Sequence, residues 1–187
     1  MAKVAGNMVL VGVSGMIGNQ LVIRQADGRI IMSQAPVPST KPPSELQAEG
    51  RLNFQSGVIY AKGVYSDPAK KALYEAKVKP GTSAFNVAVA DFLKAPNIDE
   101  IDLGNYNGTA ADTIRVRVTD DFQVVKVTVT IHNADGTLVE EGEAVQQENV
   151  IDWLYTVTAD NPSLEGDRIE IRAWDRPEHV TEEEKTI

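Results

Sequence analysis

The chain has 187 residues, 42% hydrophobic and 24% charged, with 18 Lys and Arg against 27 Asp and Glu. That length suits one larger globular domain or two small ones, and the apolar content excludes a disordered chain. With no cysteine and two histidines, the sequence excludes disulfides, thiolate zinc sites, iron–sulfur clusters, a cysteine nucleophile and most multi-histidine metal sites.

The net charge of −9 is divided unevenly. Residues 1–96 hold 11 basic and 6 acidic side chains, a net of +5, and residues 97–187 hold 7 and 21, a net of −14. This predicts two physically distinct parts, at 1–96 and 97–187. An excess of +5 without a basic cluster or an aromatic RNA-binding motif argues against nucleic acid. The apolar opening, residues 1–19, is interrupted by Asn7 and several glycines and has no A-x-A cleavage site. It reads as folded structure, not as a signal peptide, and it falls short of the ~20 apolar residues of a membrane span. Cytoplasmic location is the default expectation.

The first part opens with alternation at Val9, Val11 and Val13, which suits a short strand. A hairpin follows, Asn19–Gln25 and Arg29–Ser33 around Asp27-Gly28, where glycine supplies the positive φ that the turn needs. Four prolines in residues 35–43 predict an extended connector. Three helices then fit the spacing. Ser44 and Gln47 form a capping box for the first, whose stripe runs through Leu46, Gly50, Phe54, Gly57 or Val58, Ala61 and Tyr65. Asp67-Pro68 starts the second, which runs to about Val78. Thr82 or Ser83 starts the third, which carries Phe85, Val89 and Phe92. All three read as core-facing helices.

From Asn97 the period becomes two. Ile114, Val116 and Val118 alternate with Arg115, Arg117 and Thr119, and Val125 to Ile131 alternate with Lys126 to His132. Asn133-Ala-Asp-Gly136 turns into a strand at 137–141, and further strands fall around Trp153–Val157 and Ile169–Ala173. Short strands with turn signals at this spacing predict an antiparallel two-sheet sandwich.

Residues 112–180 resemble bacterial immunoglobulin-like domains. The likeness rests on IRVRV, VTVTIHNADGTLVEEG, WLYTVT and the closing LEGDRIEIRAWDRPEHV. Trp153, Tyr155 and Ala173-Trp174-Asp175 match that pattern, and Pro177-Glu178-His179 departs from the Gly-Asn that commonly follows the aspartate. The whole chain also resembles an uncharacterised bacterial family. Its order is Ser14-Gly-Met-Ile-Gly18, the proline connector, Asp67-Pro68, Ser83-Ala-Phe-Asn86 and then the immunoglobulin-like domain. The resemblance implies architecture and carries over no catalytic residue. The expected fold is therefore an α+β module, a hairpin plus about three helices, followed by an all-β immunoglobulin-like sandwich.

Little in the sequence points to catalysis. Ser14 lies outside a G-x-S-x-G elbow, and His132 and His179 read as an outward strand residue and a terminal-turn residue. Gly12, Gly15 and Gly18 lack the spacing and the following helix of a dinucleotide loop. Asp99, Asp102, Asp120 and Asp121 are weak calcium candidates, because that ion takes six to eight oxygen ligands and no EF-hand loop is present. Glu182, Glu183 and Glu184 read as a solvated tail. Trp174 has the opposite parity from Ile171 and Ala173, so it faces outward as a candidate binding residue.

These observations lead to an expectation of a non-catalytic structural or assembly protein without a cofactor. It would be a homo-oligomer or bind another protein, self-associating through its N-terminal β segment and complementary charge. The alternative is a carbohydrate- or protein-binding surface module.

Overall fold

The structure, a computed structural model, describes residues 2–4, 12–26, 28–38 and 40–187. The strand expected around Val9–Val13 lies mostly outside the described residues. The N-terminal part forms a four-stranded antiparallel sheet in the order β1-β4-β3-β2. Its strands are β1 (Ala2–Val4), β2 (Gly15–Ile17), β3 (Leu21–Ala26) and β4 (Arg29–Gln34). The expected hairpin is β3–β4, closing at Gly28 with φ +70°. Among the described residues Ile23 and Ile30 are its buried ones, and those of the proline connector that follows form no helix or strand.

Three helices come next: α1 (Glu45–Ser66), α2 (Pro68–Glu75) and α3 (Ala84–Phe92). Each starts where the capping chemistry directs. The Ser44 hydroxyl accepts from the Gln47 amide while the Gln47 side chain accepts from the Ser44 amide. Asp67 accepts from the amides of Ala69 and Lys70, with Pro68 in the first turn, and Ser83 accepts from Asn86. α2 ends three residues before the expected Val78. The expectation that all three helices face a core holds for only the C-terminal half of α1. Its buried residues are Gly57, Ala61 and Val64, and every residue from 45 to 56 is exposed. The reason is length: α3 has nine residues against the 22 of α1 and covers only its C-terminal half.

The second part is a sandwich of two antiparallel four-stranded sheets, β5-β6-β10-β9 and β12-β11-β7-β8. The strands are β5 (Asn97–Asn105), β6 (Thr113–Thr119), β7 (Val124–His132), β8 (Leu138–Glu143), β9 (Val145–Gln146), β10 (Asp152–Thr156), β11 (Arg168–Asp175) and β12 (Val180–Thr186). In chain order these are A-B-E-D against G-F-C-C′, the strand order of an immunoglobulin sandwich. The core comes from the inward set of each strand. Ile114, Val116 and Val118 face Val127, Val129 and Ile131, with Ile169, Ile171, Trp153 and Tyr155 filling the space between. The triplet Glu182–Glu184 is not a tail. It belongs to β12, which pairs with β11 along its whole length. Alternation of apolar residues could not reveal this strand, because its side chains are almost all polar and solvent-facing.

A polar joint ties the helices to one end of the sandwich. Phe122, on the β6–β7 turn, is buried with Ala61, Val64, Tyr74 and Ala88 of the helices, and its ring stacks on Tyr74 at 4.2 Å. The Tyr74 hydroxyl donates to Asp91 at 2.5 Å and shares a 2.7 Å hydrogen bond with Tyr60. The Lys77 ammonium donates to the Phe122 carbonyl. On the sandwich side, buried Asp175 accepts from the His179 amide and contacts its ring nitrogen at 2.9 Å, and that ring meets Phe92 edge-on. The Thr181 hydroxyl donates to the Pro96 carbonyl.

Desolvation pushes the Asp91 carboxyl up to about 6, against an ordinary 3.8. Hydrogen bonding from Tyr74 opposes the rise, the Asp120 and Asp175 carboxylates add to it, and Arg176 opposes it. A carboxyl raised on folding binds its proton more tightly in the native state. Its contribution to stability is therefore complete below the unfolded value and lost as pH rises through about 6. Asp91→Asn removes this ionisation while keeping the shape. The melting temperature of Asp91→Asn should match the wild type near pH 4 and exceed it progressively toward pH 7, measured by thermal melts across that range. A second prediction concerns Gly108, which has φ +80° and whose added Cβ would lie 2.2 Å from the Asn161 carbonyl. Gly108→Ala should cost roughly 2–4 kcal/mol in urea unfolding, combining backbone strain and overpacking.

Candidate functional site

The described surface departs from an ordinary soluble exterior in the N-terminal part. β2 is an outer strand of its sheet, and among the described residues no strand pairs its second edge. Met16 is 55% exposed, Ile17 54% and Leu21 40%. An unpaired strand bearing apolar side chains offers N–H and C=O groups to another chain and an apolar face to cover. Further along, α1 exposes Leu46, Leu52, Phe54 and Ile59. A groove of about 590 Å³ runs beside Phe54 and Gly50, with Lys41 and Pro43 of the connector on its other wall. Exposed apolar surface of this kind marks interaction sites.

The sandwich carries the opposite character. Along its β5-β6-β10-β9 face, Arg115 donates to Asp102 at 2.9 Å and lies 3.3 Å from Glu100. Arg117 makes a two-pronged contact with Asp152, at 2.9 and 3.3 Å. Hydrogen bonding from Arg117, joined by Asn149, holds the Asp152 carboxyl below its ordinary value. Asp102 is lowered by the Gly104 amide first and then by Arg115. These are structural ion pairs on a solvated sheet face.

The calcium candidates lie apart from any ligand cage. Asp99 and Asp102 sit on β5, not in a loop. Asp99 accepts from Thr119 and Asn97, and Asp102 from Arg115 and Gly104. Asp120 accepts from the amides of Phe122 and Gln123, closing the β6–β7 turn, and Asp121 pairs with Lys94 at 2.6 Å. Among the described residues no group of three or more His, Asp or Glu could hold a metal ion.

Trp174 lies half-buried on the outer face of β11, opposite Lys126 and Val180 in register. The Lys126 ammonium sits 5.2 Å from the ring centroid, so a cation already occupies the indole face. His132, read as an outward strand residue, is half-buried, and its Nδ1 is buried without a hydrogen-bond partner among the described residues.

The joint residues Tyr60, Tyr74 and Asp91 escaped the sequence reading, although one signal was present. Asp91 continues the buried row Ala84, Ala88 of α3 at helical spacing, a charge on a core face. Tyr74 and Asp91 are each only 1% exposed, and burial drives the Tyr74 hydroxyl far above its ordinary range. The Tyr74 phenol donating to the buried Asp91 carboxyl orients α2 and α3.

Among the described residues no helix is long and apolar enough to cross a membrane. No family model matches the chain, and neither does any curated protein. Among solved structures the chain is similar to CopC from Methylosinus trichosporium OB3b, at 17% identity and a TM-score of 0.36, over 48% of this chain and 87% of that one. It is also similar to an engineered protein at 15% identity and a TM-score of 0.35, covering 58% of this chain and 29% of that one. Likenesses this distant carry no argument. The strand order above is what shows the architecture, a sandwich domain following an N-terminal sheet and three helices.

Proposed function

We propose that this protein is a non-catalytic structural or assembly protein that self-associates through its N-terminal β-sheet. The observation that carries the reading is the open, apolar and uncharged edge of β2, with Met16 and Ile17 more than half exposed. Adding a strand there satisfies backbone groups and covers apolar surface in one step. The charge division supports the same reading, since a part with net +5 and a part with net −14 attract between copies. Binding of carbohydrate or protein at Trp174 is the second reading. Its support is the outward, half-exposed indole, weakened by the cation lying over it.

The test is chromatography with light scattering at low and high salt. The wild-type chain should run larger than a monomer, and the double variant Met16→Lys/Ile17→Glu should shift toward monomer, because charges on an edge strand oppose pairing. A salt-sensitive size assigns part of the association to charge. A wild-type chain that is monomeric at every concentration and salt, or an edge variant with unchanged size, would overturn the reading.

A further inference from the structure

The surface left open on α1 is the continuation of one already packed. Leu46, Gly50, Phe54, Gly57, Ala61 and Val64 fall within a single stripe at spacings of four and three. The C-terminal half of that stripe is buried under α3, where Gly57 meets Val89 and Phe92. At 1.5 Å per residue, nine residues of α3 span about 14 Å and 22 residues of α1 about 33 Å. The cover ends near Gly57. Beyond it Leu46 is 79% exposed and Phe54 54%, and a Cβ added at Gly50 would meet open space. Three free helical turns are marginal in water without a packed face.

We infer that the free half of α1 packs antiparallel against the same segment of a second copy, crossing at Gly50. Two features select that occupant. The stripe is symmetric in size about Gly50, with a large apolar residue four positions to either side. A two-fold axis there brings Leu46 against the second copy's Phe54, and Phe54 against its Leu46, across a glycine crossing that lets the backbones approach. The available length also fits. An antiparallel pair centred on Gly50 uses residues 45–55 of each chain and stops where α3 begins to cover the stripe, whereas a parallel pair would drive the two α3 helices into each other. This surface rests on the self-association reading and adds α1 to the β2 edge.

The absence of cysteine makes single-cysteine cross-linking in the full chain unambiguous. Under mild oxidation Gly50→Cys should form a disulfide-linked dimer about tenfold faster or more than Ala48→Cys, which lies on the opposite face of the helix. Adding Phe54→Glu to Gly50→Cys should abolish that advantage. The unfolding midpoint of the sandwich should stay unchanged, because Phe54 is exposed and belongs to neither core. Mixing Leu46→Cys with Phe54→Cys chains should yield mostly mixed dimers. Equal rates for Gly50→Cys and Ala48→Cys, an advantage that survives Phe54→Glu, or a predominance of like-with-like dimers would each overturn the inference. The readout is position-specific, so the two readings can fail separately. Assembly retained without rapid Gly50→Cys linkage removes the helix pairing alone. Rapid linkage in a chain whose size ignores the β2 substitutions removes the strand edge alone.

Discussion

The stacking of Tyr74 on Phe122 holds the architecture together. Phe122 belongs to the turn between β6 and β7, yet its ring is buried among helix residues, so the end of the sandwich supplies part of the helical core. α2 and α3 have eight and nine residues and are too short to form a bundle of their own. Around the stacked rings, Asp91 and Tyr60 fix the Tyr74 hydroxyl, and Lys77 caps the Phe122 carbonyl. His179 and Thr181 reach back from the start of β12 to Phe92 and Pro96. Contacts from the β6–β7 turn and from the β11–β12 turn, at one end of the sandwich, therefore set how the helices sit on it.

The joint is specified by polar groups as much as by apolar area. Sealing Asp91 beside Asp120 and Asp175 in a site only partly offset by Arg176 costs desolvation energy, and the raised carboxyl records that cost. An apolar residue at that point of α3 would pack without the penalty but would leave the Tyr74 and Tyr60 hydroxyls short of a buried partner. A fixed orientation of short helices is what the network supplies in return.

Most of this fold was legible in the sequence because its elements follow strong local signals. The capping box at Ser44, Asp67-Pro68, the β3–β4 hairpin closing at Gly28 and the alternation of Ile114 to Val118 follow local chemistry, and each occurs as expected. Failures came where local pattern carries no record of what packs against it. The stripe on α1 reads as uniformly core-facing, because periodicity cannot report that α3 stops halfway. β12 reads as a tail, because a solvent-facing edge strand shows no apolar alternation. Of the candidate surface, the sequence showed an apolar N-terminal stretch with a short strand at Val9–Val13, and it did not show β2 at Gly15–Ile17. The position of β2 at an open edge was not legible either, since strand order is a property of the whole sheet.

The charge asymmetry takes on a physical meaning when placed on the strands. Nine of the acidic residues in the second part lie on three outer strands: Asp99, Glu100 and Asp102 on β5, Glu140, Glu141 and Glu143 on β8, and Glu182 to Glu184 on β12. Edge strands invite unwanted pairing, and like charges along them repel a second copy of the same edge. The N-terminal sheet does the reverse, since β2 carries no charge and its two large side chains are apolar and exposed. Of the four edge strands of the sandwich, β5, β8 and β12 carry acids and the two-residue β9 carries none, and in the N-terminal sheet β2 is likewise uncharged. Under the proposed self-association, the acidic strands would disfavour sandwich-to-sandwich pairing and attract the basic N-terminal part of another copy. On this reading the net charge is a specificity device for assembly, and the bare edge of β2 is the surface it protects from the wrong partner.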